Sequence, residues 1–176
     1  MKSLLVLLFG FTAVPTLLSA AEDKVVAPTR ATVTYVTPEK FTDFSSSGFG
    51  AASEKDLKYL TELFSAHLER LAKRYLAADD RLEITFKDID LAGRYEPEHG
   101  PNWQDVRIYR DITFPRMAFS FRLLGPDGQV RLEGERKLTN MSYNWSILPP
   151  MGDTEYRYDK ELLSDWMSAE FRKKKN

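Results

Sequence analysis

The chain has 176 residues, no cysteine, and 25 basic against 26 acidic side chains, which gives a formal net charge of −1. Nucleic-acid-binding proteins usually carry a marked excess of basic residues, so this near balance argues against that function. The lack of cysteine excludes disulfides, a cysteine nucleophile, zinc–thiolate sites and iron–sulfur clusters.

The N-terminal residues have the pattern of a secretory signal peptide. Lys2 supplies a positive charge, residues 4–18 form an apolar run, and residues 19–21 are small. A membrane anchor is the alternative, but the run is shorter than the roughly 18 to 20 residues that a span needs, and Pro15 interrupts it. We therefore expect cleavage near Ala21, a periplasmic location, and no membrane span after cleavage.

A leader, a strand and a loop are predicted after the signal peptide. Residues 22–30 are polar and predict a flexible leader. Residues 31–37 are rich in β-branched side chains and predict the first strand, whereas residues 39–52, with their serines and glycines, predict a loop. Residues 31–176 are enough for one domain with a hydrophobic core and too few to suggest two.

The clearest element is an amphipathic helix that begins after Ser53 and ends near Ala77. Ser53 is typical of an N-cap, and the two acidic residues that follow it closely suit the first helical turn. Its apolar face consists of Leu57, Leu60, Phe64, Leu68, Leu71 and Tyr75. Since the opposite face is charged, we expect this helix to cover one face of a sheet. His67 is interpreted as a hydrogen-bonded histidine at the edge of the apolar face.

Four more strands are predicted from the alternation of apolar and polar residues. They are residues 82–89, residues 106–114, a strand after Pro115, and residues 129–138, and a Gly-Pro-Asp-Gly turn precedes the last. The side chains expected to point inward are Leu82, Ile84 and Phe86; Val106, Ile108, Ile112 and Phe114; Met117, Phe119, Phe121 and Leu123; and Val130, Leu132 and Leu138.

A second helix is predicted at residues 155–173, with Leu162, Leu163, Trp166, Met167 and Phe171 as its apolar side. The order strand, helix, strands, helix predicts an α+β two-layer sandwich: a mostly antiparallel sheet of four to five strands with both helices on one face. The first helix also suits a right-handed crossover between parallel neighbours. Cations at residues 172–175 are favoured at a helix C-terminus, and a weak contact with an anionic surface is the alternative.

Several charged residues stand where the strand patterns require apolar ones. Asp88 and Asp90 continue the inward face of the second strand, and Arg110 and Arg136 occupy inward positions later. An unpaired charge in a core is costly, so these residues must be paired, bulged outward or placed at the end of the sheet. One solution pairs an aspartate with Arg110. The favoured one is a structural ion pair, or a bulge near Lys87 that turns the aspartates to solvent and brings Ile89 and Leu91 inward.

The loop at residues 92–105 is the candidate binding element, because its roughly fourteen residues exceed the usual length of a connection. Aromatic side chains there provide recognition area, and the arginines near it suit an anion or carboxylate. Alternatively, Trp103 forms a lid on the edge of the sheet. The candidate binding or ion-pair cluster is Asp88, Asp90, Arg94, Tyr95, His99, Trp103, Arg107, Arg110 and Arg116.

Catalytic and metal chemistry has little support in the sequence. An EF-hand loop that starts at Asp88 fails, because Ala92 and His99 occupy ligand positions. Alternate strand residues lie roughly 6.6 to 7 Å apart, a spacing that glycosidase carboxylates use, but Asp88 and Asp90 would lie side by side instead of flanking a substrate. His99, between acidic residues, suits a metal or general-base role but has no second histidine in reach. We predict no metal and no cofactor.

The segments FTDF, DIDLAG, DVRIYRDI, FPRM and LLSDWMSAEF occur in this order between residues 33 and 171. In these segments the chain resembles the proteobacterial family known as domain of unknown function three-thousand-and-sixteen. The resemblance implies an exported protein of Gram-negative bacteria. It implies no activity and no catalytic residues.

Three functions are compatible with the sequence. The leading hypothesis is a non-enzymatic periplasmic domain that binds an envelope protein or a small ligand. The alternatives are a hydrolase, possibly metal-assisted, that uses Asp88, Asp90 and His99, and a structural envelope protein with an interface at Tyr143 and Trp145. The oligomeric state does not follow from the sequence.

Overall fold

The computed structural model describes residues 29–47, 52–100, 103, 106–145 and 155–172. The predicted signal peptide and most of the predicted leader lie outside the described residues. The helices and strands are β1 (Ala31–Tyr35), α1 (Glu54–Tyr75), β2 (Arg81–Asp90), β3 (Arg94–Tyr95), β4 (Arg107–Ile108), β5 (Arg116–Leu124), β6 (Val130–Thr139) and α2 (Arg157–Phe171). Within the described part of the chain, neither helix combines the length and the apolar character that crossing a membrane requires.

The strands form a four-stranded sheet in the order β1-β2-β5-β6 and a two-stranded sheet of β3 and β4. β1 pairs with β2 in parallel, and the other pairs are antiparallel. α1 is the crossover between the two parallel strands, as its position in the sequence suggests. The predicted α+β fold and its strand–helix–strands–helix order are confirmed.

α1 begins at the predicted N-cap. The Ser53 hydroxyl accepts a hydrogen bond from the Asp56 amide at 3.1 Å, and the Asp56 carboxylate accepts one from the Ser53 amide at 3.0 Å. This capping box satisfies two backbone donors, and a cap of this kind contributes about 1 kcal/mol. His67 is buried, and its Nε2 atom lies 3.0 Å from the Lys160 carbonyl oxygen, as expected of a hydrogen-bonded histidine.

The hydrophobic core lies between the two helices and one face of the four-stranded sheet. Its buried members on β2 and β5 are Leu82, Ile84, Phe86, Ile89, Met117, Phe119 and Phe121. Trp166 of α2 packs edge-on against Phe119 and Phe121, with ring centroids 4.6 Å and 5.4 Å away. The other face of these strands carries polar side chains such as Glu83 and Arg122, which are joined by a salt bridge.

The predicted strand at residues 106–114 is wrong. Only Arg107–Ile108 forms a strand, it pairs with β3 instead of β2, and Ile112 is 79% exposed instead of inward. The reason is that β2 lies between β1 and β5, so both of its hydrogen-bonding edges are already paired. Alternation in the sequence indicates a two-sided strand but does not indicate whether a partner edge is available.

β6 is confirmed as a strand, and Leu138 packs against the core as predicted. Leu132 lies on the same face but is 38% exposed because β6 is the edge of the sheet, and Val130, beyond a shift in register, is exposed too. Arg136 does occupy the core side. Its guanidinium lies over the Phe121 ring at 5.0 Å and forms an ion pair with Glu170 of α2 at 2.7 Å. Gly134 makes room for this arrangement, because a Cβ there would lie 2.9 Å from Arg136 Nη1 and 3.3 Å from the Phe121 ring.

Candidate functional site

A β-bulge at Lys87 determines where the charged end of β2 points. The register between β2 and β5 shifts between Phe86 and Asp88, so Lys87 is the extra residue. After the bulge, Ile89 and Leu91 are fully buried. The predicted bulge is therefore confirmed, and it removes the two aspartates from the apolar face of the strand.

The two aspartates have different surroundings. The Asp88 carboxylate accepts hydrogen bonds from the backbone amide and hydroxyl of Thr42, at 2.7 and 2.8 Å. Asp90 does not turn to solvent as predicted: it is 2% exposed and forms salt bridges with Arg94 at 2.6 Å and Arg116 at 2.9 Å. The predicted alternative of a purely structural ion pair describes Asp90 correctly.

The predicted partner of these aspartates is wrong. Arg110 lies away from both and donates to both carboxylate oxygens of Glu96, at 2.7 and 2.5 Å. Both side chains sit on the loop after β2, where Arg110 is about half exposed. Arg110 belongs to the turn that replaces the predicted strand, so it never reaches the edge of β2.

A second aspartate, Asp43, joins Asp90 to form an ionic cluster with three arginines. The Asp43 backbone lies beside β2: its amide donates to the Ile89 carbonyl at 3.0 Å and its carbonyl accepts from Leu91 at 3.1 Å. Arg94 bridges the two carboxylates, 3.0 Å from Asp43 and 2.6 Å from Asp90. We call Asp43, Asp90, Arg94, Arg107 and Arg116 the ionic cluster.

Arg107 is the most buried arginine of the ionic cluster, with a side chain only 6% exposed. It pairs with Asp43, and its Nε donates to the Ala92 carbonyl at 2.7 Å. Its guanidinium also lies 5.1 Å from the centre of the Tyr95 ring. Because its donors are used within the chain, Arg107 ties the loop to the sheet, whereas the side chains of Arg94 and Arg116 are partly exposed.

Asp159, in the first turn of α2, is fully buried beside the ionic cluster. Its Oδ1 accepts a hydrogen bond from the Ala92 amide at 2.9 Å, while Oδ2 has no hydrogen-bond partner among the described residues. Burial raises the pKa of this carboxyl from its ordinary 3.8 to about 7, although the Ala92 amide and Arg107 oppose the change. Burial also raises the pKa of Asp43, against the nearby positive charges of Arg107 and Arg94.

Sequence reasoning missed both Asp159 and Asp43. An acidic residue in the first turn of a helix is usually a solvated partner of the helix dipole, so Asp159 gave no signal. Asp43 lies in a serine-rich loop, and only the bridge to β2 reveals its role.

Tyrosines surround the same end of α2. The Tyr158 ring makes edge contacts with Tyr109 and Tyr143, with ring centroids 5.1 and 4.7 Å away. Burial raises the pKa values of Tyr109, Tyr143 and Tyr156, and a hydrogen bond with Tyr95 adds to the effect on Tyr156. These hydroxyls therefore stay protonated and can donate hydrogen bonds. The tyrosine rings pack between the loop and α2.

The tip of the loop carries Glu96, Glu98, His99 and Trp103. One ligand atom from each of the first three lies within 4.8 Å of the others, but Arg110 occupies both oxygens of Glu96 and lowers the pKa of that carboxyl to about 2. His99 Nε2 also lies 2.7 Å from Glu96. Because Glu96 is already paired with Arg110, we do not assign a metal site to these three residues. Trp103 contacts the His99 ring edge-on and is partly exposed, which favours a solvent-facing side chain over a lid.

Two further loops form an apolar surface near the ionic cluster. The Tyr143 hydroxyl donates to the Arg110 carbonyl at 2.9 Å, and the Asn144 side chain donates to Asp111, so residues 109–113 and 140–145 are joined. Three large apolar side chains on these loops face solvent: Ile112 is 79%, Met141 67% and Trp145 73% exposed. We call Ile112, Met141 and Trp145 the apolar end surface. Tyr143, predicted as an interface residue with Trp145, is instead buried.

The fold and this geometry define an α+β protein in which paired charges and tyrosines hold a long loop against the sheet. The model of one family, described as protein of unknown function DUF3016, matches residues 29–169. The chain belongs to this family, and the resemblance found in the sequence is confirmed. No curated protein and no solved structure matches the chain.

Proposed function

We propose that the protein is an exported, periplasmic binding domain that holds a partner protein on the apolar end surface. The observation that carries this proposal is the exposure of Ile112, Met141 and Trp145 on two loops that are bonded to each other. Burying a side chain of this size against a partner contributes roughly 1.5 to 3 kcal/mol. Exposed apolar patches of this kind typically mark interaction sites. The N-terminal signal pattern supports the location.

The apolar end surface is held in place before any partner binds. Tyr143 is buried under the two loops, where its ring packs against Tyr158, and its hydroxyl holds the Arg110 carbonyl. At the base of the longer loop, the Gly93 amide donates to the Thr113 carbonyl at 2.8 Å. A surface whose backbone is already ordered loses less conformational entropy on binding, so more of the contact energy appears as affinity.

The ionic cluster supports this surface in our proposal, and it does not itself carry out chemistry. Asp90 is saturated by Arg94 and Arg116, and Arg107 is saturated by Asp43 and backbone carbonyls. A saturated cluster has little capacity for a ligand but fixes the loop that carries Ile112. The exposed faces of Arg94 and Arg116 remain available as polar contacts at the rim.

The hydrolase alternative has little geometric support. Its three residues are bound to separate partners: Asp88 to Thr42, Asp90 to two arginines, and His99 to Glu96. A general base must be able to reach its substrate, and both oxygens of Asp90 are buried and already accept from arginines.

Site-specific photocrosslinking tests the proposal. A photoreactive amino acid placed at Ile112 or Trp145 should give covalent adducts with one partner in cells that express the chain. The same amino acid at Val36, an exposed apolar residue beyond the end of β1, is the control and should give none. Equal adducts from all positions, or none from any, would rule the binding surface out.

The same variants separate a partner protein from self-association, which the structural envelope alternative requires. Sedimentation of the purified chain and of Trp145→Ser should give the same molar mass if the partner is a different protein. A larger assembly that Trp145→Ser dissolves would favour the structural alternative. N-terminal sequencing of the exported chain tests the location, and we expect it to start near Glu22.

A further inference from the structure

The two helices run in the same direction and end side by side. Near their starts, the rings of Phe64 and Tyr156 lie 6.1 Å apart, and one turn later His67 Nε2 lies 3.1 Å from the Ser164 hydroxyl. Tyr75 at the end of α1 and Phe171 at the end of α2 line a common cleft. Parallel packing therefore brings both C-terminal ends to one pole of the molecule.

The cleft between these helix ends has a volume of about 470 Å³. It is lined by Arg74, Tyr75, Leu76, Ala77, Phe171 and Arg172. Its apolar members, Tyr75, Leu76 and Phe171, are partly buried and continuous with the hydrophobic core, whereas the two arginines are exposed. The cleft thus combines an apolar floor with a cationic rim.

The arginines on the rim are not neutralised by neighbouring acids. Of the carboxylates nearest in sequence, Glu69 pairs with Lys73, Asp80 with Arg131 and Glu170 with Arg136, while Asp79 is exposed to solvent and forms a salt bridge with neither arginine. Within the part of the chain that the structure describes, the side chains of Arg74 and Arg172 form no ion pair. The Arg74 guanidinium lies 5.5 Å from the centre of the Tyr75 ring, at the margin of the cleft.

Cations at helix C-termini also neutralise the helix dipoles, so the charges must be compared. Each C-terminus contributes roughly half a negative charge. Arg74 and Arg172 bring two full positive charges to the cleft, and three lysines follow Arg172 in the sequence. The positive charge at the cleft is larger than the negative charge of the two helix ends. Neutralisation of the dipoles also does not explain why the floor of the cleft is apolar.

We propose that this cleft binds the headgroups of anionic phospholipids at a membrane surface. Guanidinium groups form paired hydrogen bonds with phosphate oxygens, which suits the two arginines on the rim. Tyr75 and Phe171 supply the apolar contact that the glycerol and upper acyl region of a lipid offers, and free phosphate lacks that region. The proposal does not rest on the apolar end surface, which lies beyond the other end of β2, a ten-residue strand that spans about 30 Å.

Vesicle sedimentation with the mature chain tests this proposal. Vesicles that contain phosphatidylglycerol in phosphatidylcholine should bind the chain, and pure phosphatidylcholine vesicles should not. A cation near an anionic surface contributes about fivefold in affinity, so the double variant Arg74→Gln with Arg172→Gln should bind roughly 25-fold more weakly. The unchanged circular dichroism spectrum of this variant would show that it folds, as expected for two exposed side chains.

The matched control is Lys55→Gln with Lys58→Gln, which removes the same charge from the first turns of α1. These lysines are exposed and lie roughly 24 Å along the helix from Arg74, well beyond the screening length of about 10 Å at 0.1 M salt. The control should bind like the unchanged chain. An equal loss in both double variants, or no binding of the unchanged chain, would overturn the proposal. Equally tight binding of soluble glycerol phosphate would overturn it too, because the cleft would then be a site for free anions.

Discussion

Asp159 shows how one side chain can set the pH dependence of the whole fold. Its carboxyl is fully buried, with Arg107 and Asp43 as the charged groups that face it and Ala92 as its backbone donor. Since its pKa is 3.8 ordinarily and about 7 in the fold, the folded chain holds a proton between about pH 4 and 7 that the unfolded chain has released. Stability contributed by this proton is therefore lost progressively as the pH rises from about 4, and the loss is complete above about 7.

The substitution Asp159→Asn should remove this dependence. The difference between 3.8 and about 7 corresponds to roughly 4 kcal/mol, so at pH 8 the variant should gain up to that amount in free energy of unfolding. At pH 5 the gain should be smaller, about 1 to 2 kcal/mol, because the folded chain is neutral there while the unfolded chain has ionised, and it should vanish below about pH 4. Urea unfolding at both pH values measures this. The control is Asp79→Asn, an exposed aspartate, and an equal response of the two variants would show that Asp159 is not the responsible group.

Other carboxyls act in the opposite direction at lower pH. The serine hydrogen bonds to Asp56 lower its pKa, and the backbone and Lys73 hydrogen bonds to Glu69 outweigh burial and lower its pKa. Their contribution to stability is present above pH 4 and is lost as the pH falls through the lowered values. Together with Asp159 and Asp43, they place the maximum of stability on the acidic side of neutrality.

At the scale of single elements, the sequence correctly predicted the helices and strands whose defining residues all lie within one continuous segment. α1 carries its N-cap and its apolar face within one continuous segment, and β2 and β5 alternate cleanly until the bulge. The third predicted strand is wrong because its residues alternate between apolar and polar, but both edges of β2 are already paired with other strands. Strand pairing is a property of the whole sheet, which is why Ile112 was expected inward and lies in solvent.

The candidate site also has a part that the sequence predicted and a part that it did not. Because burying an unpaired ion is costly, the sequence predicted that charged residues at inward strand positions are either paired or moved outward by a bulge. Both occur: Asp90 is paired, and Lys87 forms a bulge. Which arginine pairs with which acid did not follow. Asp43 and Asp159 reach the site from distant parts of the chain, where nothing local distinguishes them from surface residues.

Arg107 and Arg110 provide a direct comparison between a buried and an exposed arginine on the same loop. Removing Arg107 leaves the mostly buried Asp43 with Arg94 as its remaining arginine and removes the hydrogen bond to the Ala92 carbonyl, so Arg107→Met should lower the free energy of unfolding by about 3 kcal/mol. Arg110→Met breaks only an exposed pair with Glu96 and should cost less than about 1 kcal/mol. Urea unfolding of both variants measures the difference, and equal costs would contradict the structural role given to Arg107.

At the scale of the molecule, the two proposed surfaces lie at opposite poles. β2 starts five residues after Leu76, beside the basic cleft, and ends at Asp90 in the ionic cluster. Sites that are far apart and share no contacts behave additively. On the two proposals together, a partner protein binds at one pole and a membrane surface at the other.

This arrangement predicts independent effects. Trp145→Ser should leave binding to anionic vesicles unchanged, and the Arg74→Gln and Arg172→Gln double variant should leave crosslinking from residue 112 unchanged. Both assays use the same chain. A variant at one pole that abolishes binding at both would indicate a loss of folding or a coupling between the poles, and thermal unfolding of the variant distinguishes the two.

The hydrogen bond from Gly93 to Thr113 has a consequence for how this family can vary. β2 and β5 are antiparallel neighbours, and Asp90 already stands opposite Arg116. The 25 residues between them thus form an oversized hairpin loop, and this hydrogen bond joins its two ends. A loop of this kind can change in length or at its tip while the strands beneath keep the same partners, so the surface that it presents is separable from the scaffold.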